Sequence, residues 1–497
     1  MSSDEEDLEL NEAPTPQLYA TQEEDGAEEN ETEDGISVRN SPEPASTPIV
    51  PSEEVSSQEE KPANTPEKRS IDFHVRPETL TCRTYDCVPL VAAVHPSQIY
   101  SLATTRCFRW VFTGSEDGYV RKWDFFASMN GKTPLTQAQR HHHVDSVTMA
   151  GVMLSWWENE EPVSKPDQEG TASTTSGGTG TGTGAPTSSL VASTSISSNG
   201  SEAGSKLSPV YSMDVHSDAL WALLGTESGG INLVTVRHDE GKCHHVLRSH
   251  TAPVSVLKIT SDQTGVISGS WDKTVLEWDL NTGSVVRKFT GHTSQISSAS
   301  FRPLHAPDEQ HMWDEKDPNI FMTTSFDGQC ILWDRREPSK NTRKIGLSDR
   351  SPPWCLSACW STDGSKIYMG RRNGQVDEWD YNSQKLIRSF KMPANSGPVS
   401  NVACMPSGKH VVCASNDNVR LWNTTIESSL TLYPEGETKP PSSSAIPFTI
   451  LPGHHGGSIS HIAIDPTCRY MITTSGNRGW DGTSTNACLF YDIHPIA

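Results

Sequence analysis

A phrase ending in Trp-Asp recurs along the chain, and its spacing leaves few folds open. It reads Thr113-Gly114-Ser115-Glu116-Asp117-Gly118-Tyr119-Val120-Arg121-Lys122-Trp123-Asp124 and returns as Ser268-Gly269-Ser270-Trp271-Asp272-Lys273-Thr274-Val275-Leu276-Glu277-Trp278-Asp279. A third copy is Thr323-Thr324-Ser325-Phe326-Asp327-Gly328-Gln329-Cys330-Ile331-Leu332-Trp333-Asp334. Each copy is a short apolar run, a turn at Asp-Gly or Asp-Lys, and a second run closed by Trp-Asp, the pattern of two antiparallel strands. Weaker copies end at Glu378-Trp379-Asp380, Leu421-Trp422-Asn423 and Phe490-Tyr491-Asp492, and a degenerate one runs from Gly225 to Thr235-Val236-Arg237, making seven. Between them lie strand-length runs of Val, Ile, Leu and aromatics, with no long helical periodicity.

These copies resemble the WD-repeat family, whose repeats of ~40–45 residues each build a four-stranded propeller blade. The resemblance implies a hydrogen-bonded tetrad of His, Ser/Thr, Asp and Trp inside a blade. Counting back from Trp123, Asp117, Thr113 and His95 stand at six, ten and twenty-eight residues; Asp272, Ser268 and His250 stand at the same offsets before Trp278. Trp333 keeps Asp327 and Thr323 in register, with His292 further back because an insert near 305–318 intervenes. A recurring set partnered by Trp points to structure rather than to a hydrolytic triad, so no catalytic residue is expected. The expected fold is an all-β, seven-bladed WD-repeat β-propeller over residues 71–497. After Tyr491-Asp492 only five residues remain, too few for an outer strand. The apolar stretch at 87–94 is expected to supply it and so close the ring.

Composition sharpens the domain plan. The formal net charge is -22, yet residues 1–70 hold 20 Asp/Glu against 4 Lys/Arg, so -16 of it lies there and -6 in the remainder. Such a segment is too polar to offset its ordering entropy and is expected to be a disordered acidic tail. It carries Ser41-Pro42, Thr47-Pro48 and Thr65-Pro66, minimal sites for proline-directed phosphorylation. A Gly/Ser/Thr-rich run at 163–207 is expected to be a flexible insert, and 424–450 an irregular one. The charge balance argues against gripping nucleic acid through its phosphates. No apolar run approaches the ~20 residues of a membrane span, and Met1-Ser2-Ser3-Asp4-Glu5-Glu6 does not open a signal peptide. The 11 Cys are scattered without zinc-finger spacing, most of them in apolar stretches, as free buried thiols of a reducing compartment would be. No cofactor or metal is expected; His141-His142-His143 is read as a solvated run.

Partner binding has two candidate regions. One is the acidic tail, represented by Asp4, Glu5, Glu6, Asp7, Glu23, Glu24 and Asp25. The other is the segment ending Trp156-Trp157-Glu158-Asn159-Glu160-Glu161-Pro162, read as the outer strand of the first blade. There Trp156 and Trp157 with Glu158, Glu160 and Glu161 would form a docking surface, aromatics being favoured interface anchors. The acidic N-terminus, the first blade, this segment and the long last turn Gly476-Asn477-Arg478-Gly479-Trp480-Asp481-Gly482 together resemble the WD-repeat subunits of the fungal SAGA transcriptional coactivator. That resemblance implies a nuclear, non-enzymatic scaffold that helps SAGA recruit or regulate TATA-binding protein, with other SAGA subunits as partners. An acidic tail fits a partner whose DNA-facing surface is basic. The alternatives are a cullin-RING substrate receptor, suggested by Leu332-Trp333-Asp334-Arg335-Arg336, and a scaffold of another chromatin complex.

Overall fold

In the computed structural model, four short strands repeat around a ring. The structure describes residues 74–162, 205–304, 316–338, 342–346, 352–416, 418–426, 447–454, 456–480 and 485–497. Six antiparallel sheets of four strands span 99–158, 212–248, 254–289, 296–345, 355–391 and 399–451, here called blades 1 to 6. Blade 7 takes three strands from 459–496, and Thr84–Val94 lies antiparallel to Ala487–Ile496 as its fourth. Pairing runs from Thr84↔Ile496 to Val94↔Ala487, with a register slip between Pro89 and Val91. Proline cannot donate to a ladder and is tolerated at such irregularities. Met149–Ala150 adds a short parallel edge outside it. The molecule is thus a seven-bladed β-propeller, and Ser70–Ala497 forms one compact unit.

The core lies between blades. Phe112, Val120 and Trp157 of blade 1 pack on Met213, Leu224 and Val234 of blade 2. Val256, Ile267 and Phe289 of blade 3 meet Phe301, Phe321 and Trp333 of blade 4. A sheet buried on both faces needs apolar side chains in both directions, which is why the second strands Gly265–Ser270 and His410–Ser415 are buried at every position.

A second, polar device joins neighbours around the central channel. The inner strands carry a β-bulge near their start, as between Ile99/Ser101, Val254/Val256, Ile296/Ser298 and Val399/Asn401. A bulge re-aims one side chain, as at Ser255 and Ser297, while Ser101 and Ser212 reach the next blade from paired ladder positions. Ser101 donates to Val210 O (2.9 Å), Ser212 to Val254 O (2.6 Å), Ser255 to Ile296 O (2.7 Å) and Ser297 to Cys355 O (2.7 Å). Each such bond is worth about 1 kcal/mol net.

Two expectations are modified by the structure. The 163–207 run is not irregular throughout, because Ser205–Leu207 is a strand paired with Glu160–Pro162; residues 163–204 lie outside the described residues. In the 424–450 piece, Phe448–Leu451 is the outer strand of blade 6. The acidic segment 1–70 lies outside the described residues. Among the described residues no helix is long and apolar enough to cross a membrane.

Candidate interaction surfaces and buried polar networks

Blade 3 brings its four repeat residues together. His250 Nε2 faces Ser268 Oγ at 2.8 Å, His250 Nδ1 faces the Asp272 carboxylate at 2.8 Å, and the Trp278 indole N–H donates to Ser268 Oγ at 2.8 Å. A carboxylate only accepts, so Nδ1 carries the proton. Burial pushes the Asp272 carboxyl upward, but hydrogen bonds from His250 and Thr274 outweigh it and hold the group well below the usual carboxylate range. Ser268 is fully buried with Trp278 over it, so its hydroxyl has no path to a substrate. The network pins the turn between the second and third strands.

Blade 4 uses the same parts with an intermediary. His292 Nε2 meets Thr323 Oγ1 at 2.7 Å and the Trp333 N–H donates to Thr323 Oγ1 at 2.7 Å. His292 Nδ1 bonds Ser325 Oγ at 2.8 Å, and Ser325 in turn donates to Asp327; the direct His292–Asp327 separation is 3.7 Å. Asp327 also accepts the Thr293 N–H at 2.8 Å.

Blade 1 departs from the expected tetrad. His95 Nε2 meets Thr113 Oγ1 at 2.8 Å and Trp123 donates to the same oxygen at 2.9 Å, but His95 Nδ1 turns to Ala93 O at 3.0 Å. Asp117 instead pairs with Arg121 at 2.6 Å. The reason lies two residues before the Trp, where blade 1 has Arg121 and blades 3 and 4 have Leu276 and Ile331. A guanidinium within reach is a stronger partner for a carboxylate than a neutral imidazole. His95, left without an anion, is held neutral: burial, then the Arg121 charge, lowers it to about 3.

The paired tryptophans of blade 1 face opposite ways, as adjacent strand residues must. Trp157 is buried between Phe112 and Gly241, where an added Cβ would stand 2.4 Å from Trp157 Cβ and where the φ of +81° also favours glycine. Trp156 is 58% exposed and meets Tyr119 edge-on at 5.5 Å. Glu158 accepts from Tyr119 Oη at 3.0 Å and Glu160 is exposed. Glu161 is turned inward, accepting the Glu227 N–H at 3.1 Å. The proposed docking set therefore shrinks to Trp156, Glu158 and Glu160, since Trp157 and Glu161 are spent on the blade 1–blade 2 junction. Asp4, Glu5, Glu6, Asp7, Glu23, Glu24 and Asp25 lie outside the described residues. Arg336, the arginine of the Trp-Asp-x-Arg pattern, is exposed and forks onto Asp334 at 2.9 and 2.6 Å.

Residues of the long last turn do something that repeat logic missed. Arg478 enters the central channel and donates to Leu356 O at 2.8 Å and to Ser297 O and Ser400 O at 3.4 Å, one carbonyl from each of blades 4, 5 and 6. Burial lowers this guanidinium to about 9. It also stacks 3.7 Å from Trp480 and so anchors that ring on one face of the propeller. Turns between second and third strands and links from outer to next inner strand share this face, which gathers Tyr211 against Trp271 (5.3 Å) and Phe326 against Trp354 (5.1 Å) and Trp480 (4.8 Å). The length of the turn was its only signal in the sequence.

The 11 cysteines are all free, and most are buried. Among the described residues no group of three or more His, Cys, Asp or Glu is placed to hold a metal ion. His141, His142 and His143 line a surface pocket with His454, whose Nε2 is engaged by Thr473 at 2.6 Å.

A family profile described as SPT8 beta propeller matches residues 85–179, 185–312 and 310–494. The SAGA complex subunit SPT8 of Saccharomyces cerevisiae is 34% identical over 471 residues, covering 82% of this chain and 73% of that protein. The SAGA complex subunit Spt8 of Schizosaccharomyces pombe is 36% identical over 482 residues, covering 83% of this chain and 80% of that protein. A guanine nucleotide-binding protein subunit beta of Zea mays is 29% identical over 188 residues, covering 35% of this chain and 44% of that protein.

Proposed function

Because the chain belongs to the SPT8 β-propeller family, we propose that it is a non-enzymatic scaffold subunit of a nuclear SAGA coactivator complex that recruits or regulates TATA-binding protein at promoters. The observation that carries this reading is similarity to two SAGA subunits over more than four-fifths of the chain. The buried His-Ser-Asp sets support a scaffold, since they spend their hydrogen-bonding capacity on blade geometry. The tail's net charge of -16 supports an encounter with a basic surface such as the DNA-facing side of TATA-binding protein.

Affinity purification of the tagged full chain from nuclear extract tests complex membership. Subunits of an acetyltransferase coactivator complex are expected to co-purify; a cullin and its adaptor in their place would contradict the reading. Titration of purified TATA-binding protein tests the finer part. Salt-sensitive binding that drops on deleting residues 1–70 is expected, whereas no binding in either form would remove TATA-binding protein as a direct partner.

A further inference from the structure

On the channel face, between blades 4, 5, 6 and 7, lies a pocket of about 100 Å³ lined by Phe326, Trp354, Ile459, Trp480, Arg372 and Arg478, among others. That volume is well below the 300 Å³ or more of a typical small-molecule cleft, and suits one side chain of a peptide. Its walls are aromatic: Trp354 lies almost parallel to Phe326 (15°) and is 41% exposed, while Trp480 stands edge-on to Phe326. Large exposed aromatics beside a concave site are the usual anchors of protein recognition.

Among the described residues its charge is one-signed. Arg372 is exposed and lies 4.1 Å from the centre of the Trp354 ring. Among the described residues it makes no ion pair. Arg478 forms the floor, its charge met by backbone carbonyls and by the Trp480 ring rather than by a carboxylate. Of the described residues lining the pocket, none is Asp or Glu. The Trp480 indole nitrogen is buried without an acceptor, a donor that a ligand oxygen would satisfy after a small ring movement. Elsewhere in the same ring, exposed arginines hold carboxylates, as Arg336 holds Asp334. A guanidinium stacked on an aromatic ring is pre-organised to fork onto a carboxylate.

From these features we infer that this pocket docks an acidic peptide segment of a partner protein. One Asp or Glu of the segment pairs with Arg372, and a neighbouring apolar side chain enters between Trp354, Phe326 and Trp480. A nucleic acid is the less suitable occupant, because two arginines are no phosphate track and the residues after position 70 carry a net charge of -6. This site is independent of the reading that acidic residues meet a basic partner, because here the polarity is reversed.

The test is fluorescence anisotropy of a short fluorescein-labelled peptide containing Glu-Asp-Phe-Asp, titrated with the full chain at low and at high salt. Saturable binding is expected, weakened by salt and reduced about tenfold or more by Arg372→Glu and by Trp354→Ala. Lys288→Glu, which removes an exposed cation from the outer strand of blade 3, should leave it within about twofold. Thermal melts of the exposed-site variants exclude misfolding as the cause of any loss. No saturable binding, or equal losses from Arg372→Glu and Lys288→Glu, would overturn the inference. So would an oligothymidine that binds more tightly than the peptide and depends on Arg372. None of these outcomes bears on SAGA membership.

Discussion

In blade 3 the Asp272 carboxylate reaches across to His250, whereas in blade 1 the corresponding Asp117 turns back to Arg121. Both blades carry His, Ser/Thr, Asp and Trp at the same three intervals. The difference comes from one further position, two residues before the Trp, occupied by Leu276 in blade 3 and Arg121 in blade 1. Blade 5 takes the ionic solution further inside: Asp377 at that position pairs with Arg371 at 2.8 Å, both buried, and Arg371 also donates to Pro353 O. Turns between second and third strands can therefore be held by a histidine–carboxylate bond or by an arginine–carboxylate pair. The lesson is that an interval locates a residue on a strand but does not choose its partner.

The largest effect should come from the buried ion pair. Arg371→Leu leaves Asp377 uncompensated and should cost about 3–5 kcal/mol in thermal or denaturant unfolding. The double variant Arg371→Leu/Asp377→Leu should recover most of that loss. A small cost for the single variant would mean that blade 5 is not ionically held.

Next comes the direct contrast. Asp272→Ala removes the acceptor shared by His250 Nδ1, the Thr251 and Thr274 N–H groups and Thr274 Oγ1, leaving Nδ1 only Thr274 Oγ1 at 3.1 Å, and should cost about 2 kcal/mol. Asp117→Ala should cost about half as much, because Arg121 keeps Ser115 Oγ at 3.0 Å and His95 keeps Ala93 O. Equal losses would argue that the two blades are built alike after all.

Acid dependence gives a third handle. His95 is lowered to about 3 in the fold, against ~6.5 when unfolded, so the unfolded chain binds the extra proton between those values. Its contribution to stability is complete above pH ~6.5 and declines as pH falls toward 3, by up to about 1.4 kcal/mol per pH unit. His95→Gln should flatten the melting-temperature profile over that window; an unchanged slope would place the titration elsewhere. The smallest effect is expected for Arg121→Leu, within about 1 kcal/mol. Removing that charge should raise the His95 pKa measured by NMR, since Arg121 is the second cause of its lowering, after burial. A fall would contradict the electrostatic account.

Seven blades were legible because Trp-Asp and its preceding turn recur at strand spacing, a pattern that burial on both sheet faces enforces. The opposite fates of Trp156 and Trp157 follow from strand alternation, but which one points inward depends on the register Trp123↔Met153, set with a bulge that the sequence does not display. The serine links between blades were hidden for the same reason, since Ser255 and Ser297 sit at bulges. Arg478 was illegible as a channel residue because it lies in a turn outside the repeat, and only the closed ring brings carbonyls of three blades around it.

The contrast between blades 3 and 1 is tested most directly by a pair of double-mutant cycles read by thermal unfolding, His250→Ala with Asp272→Ala and His95→Ala with Asp117→Ala. The predicted coupling is about 1.5–3 kcal/mol in blade 3 and below about 0.5 kcal/mol in blade 1. Equal coupling in the two blades would contradict it.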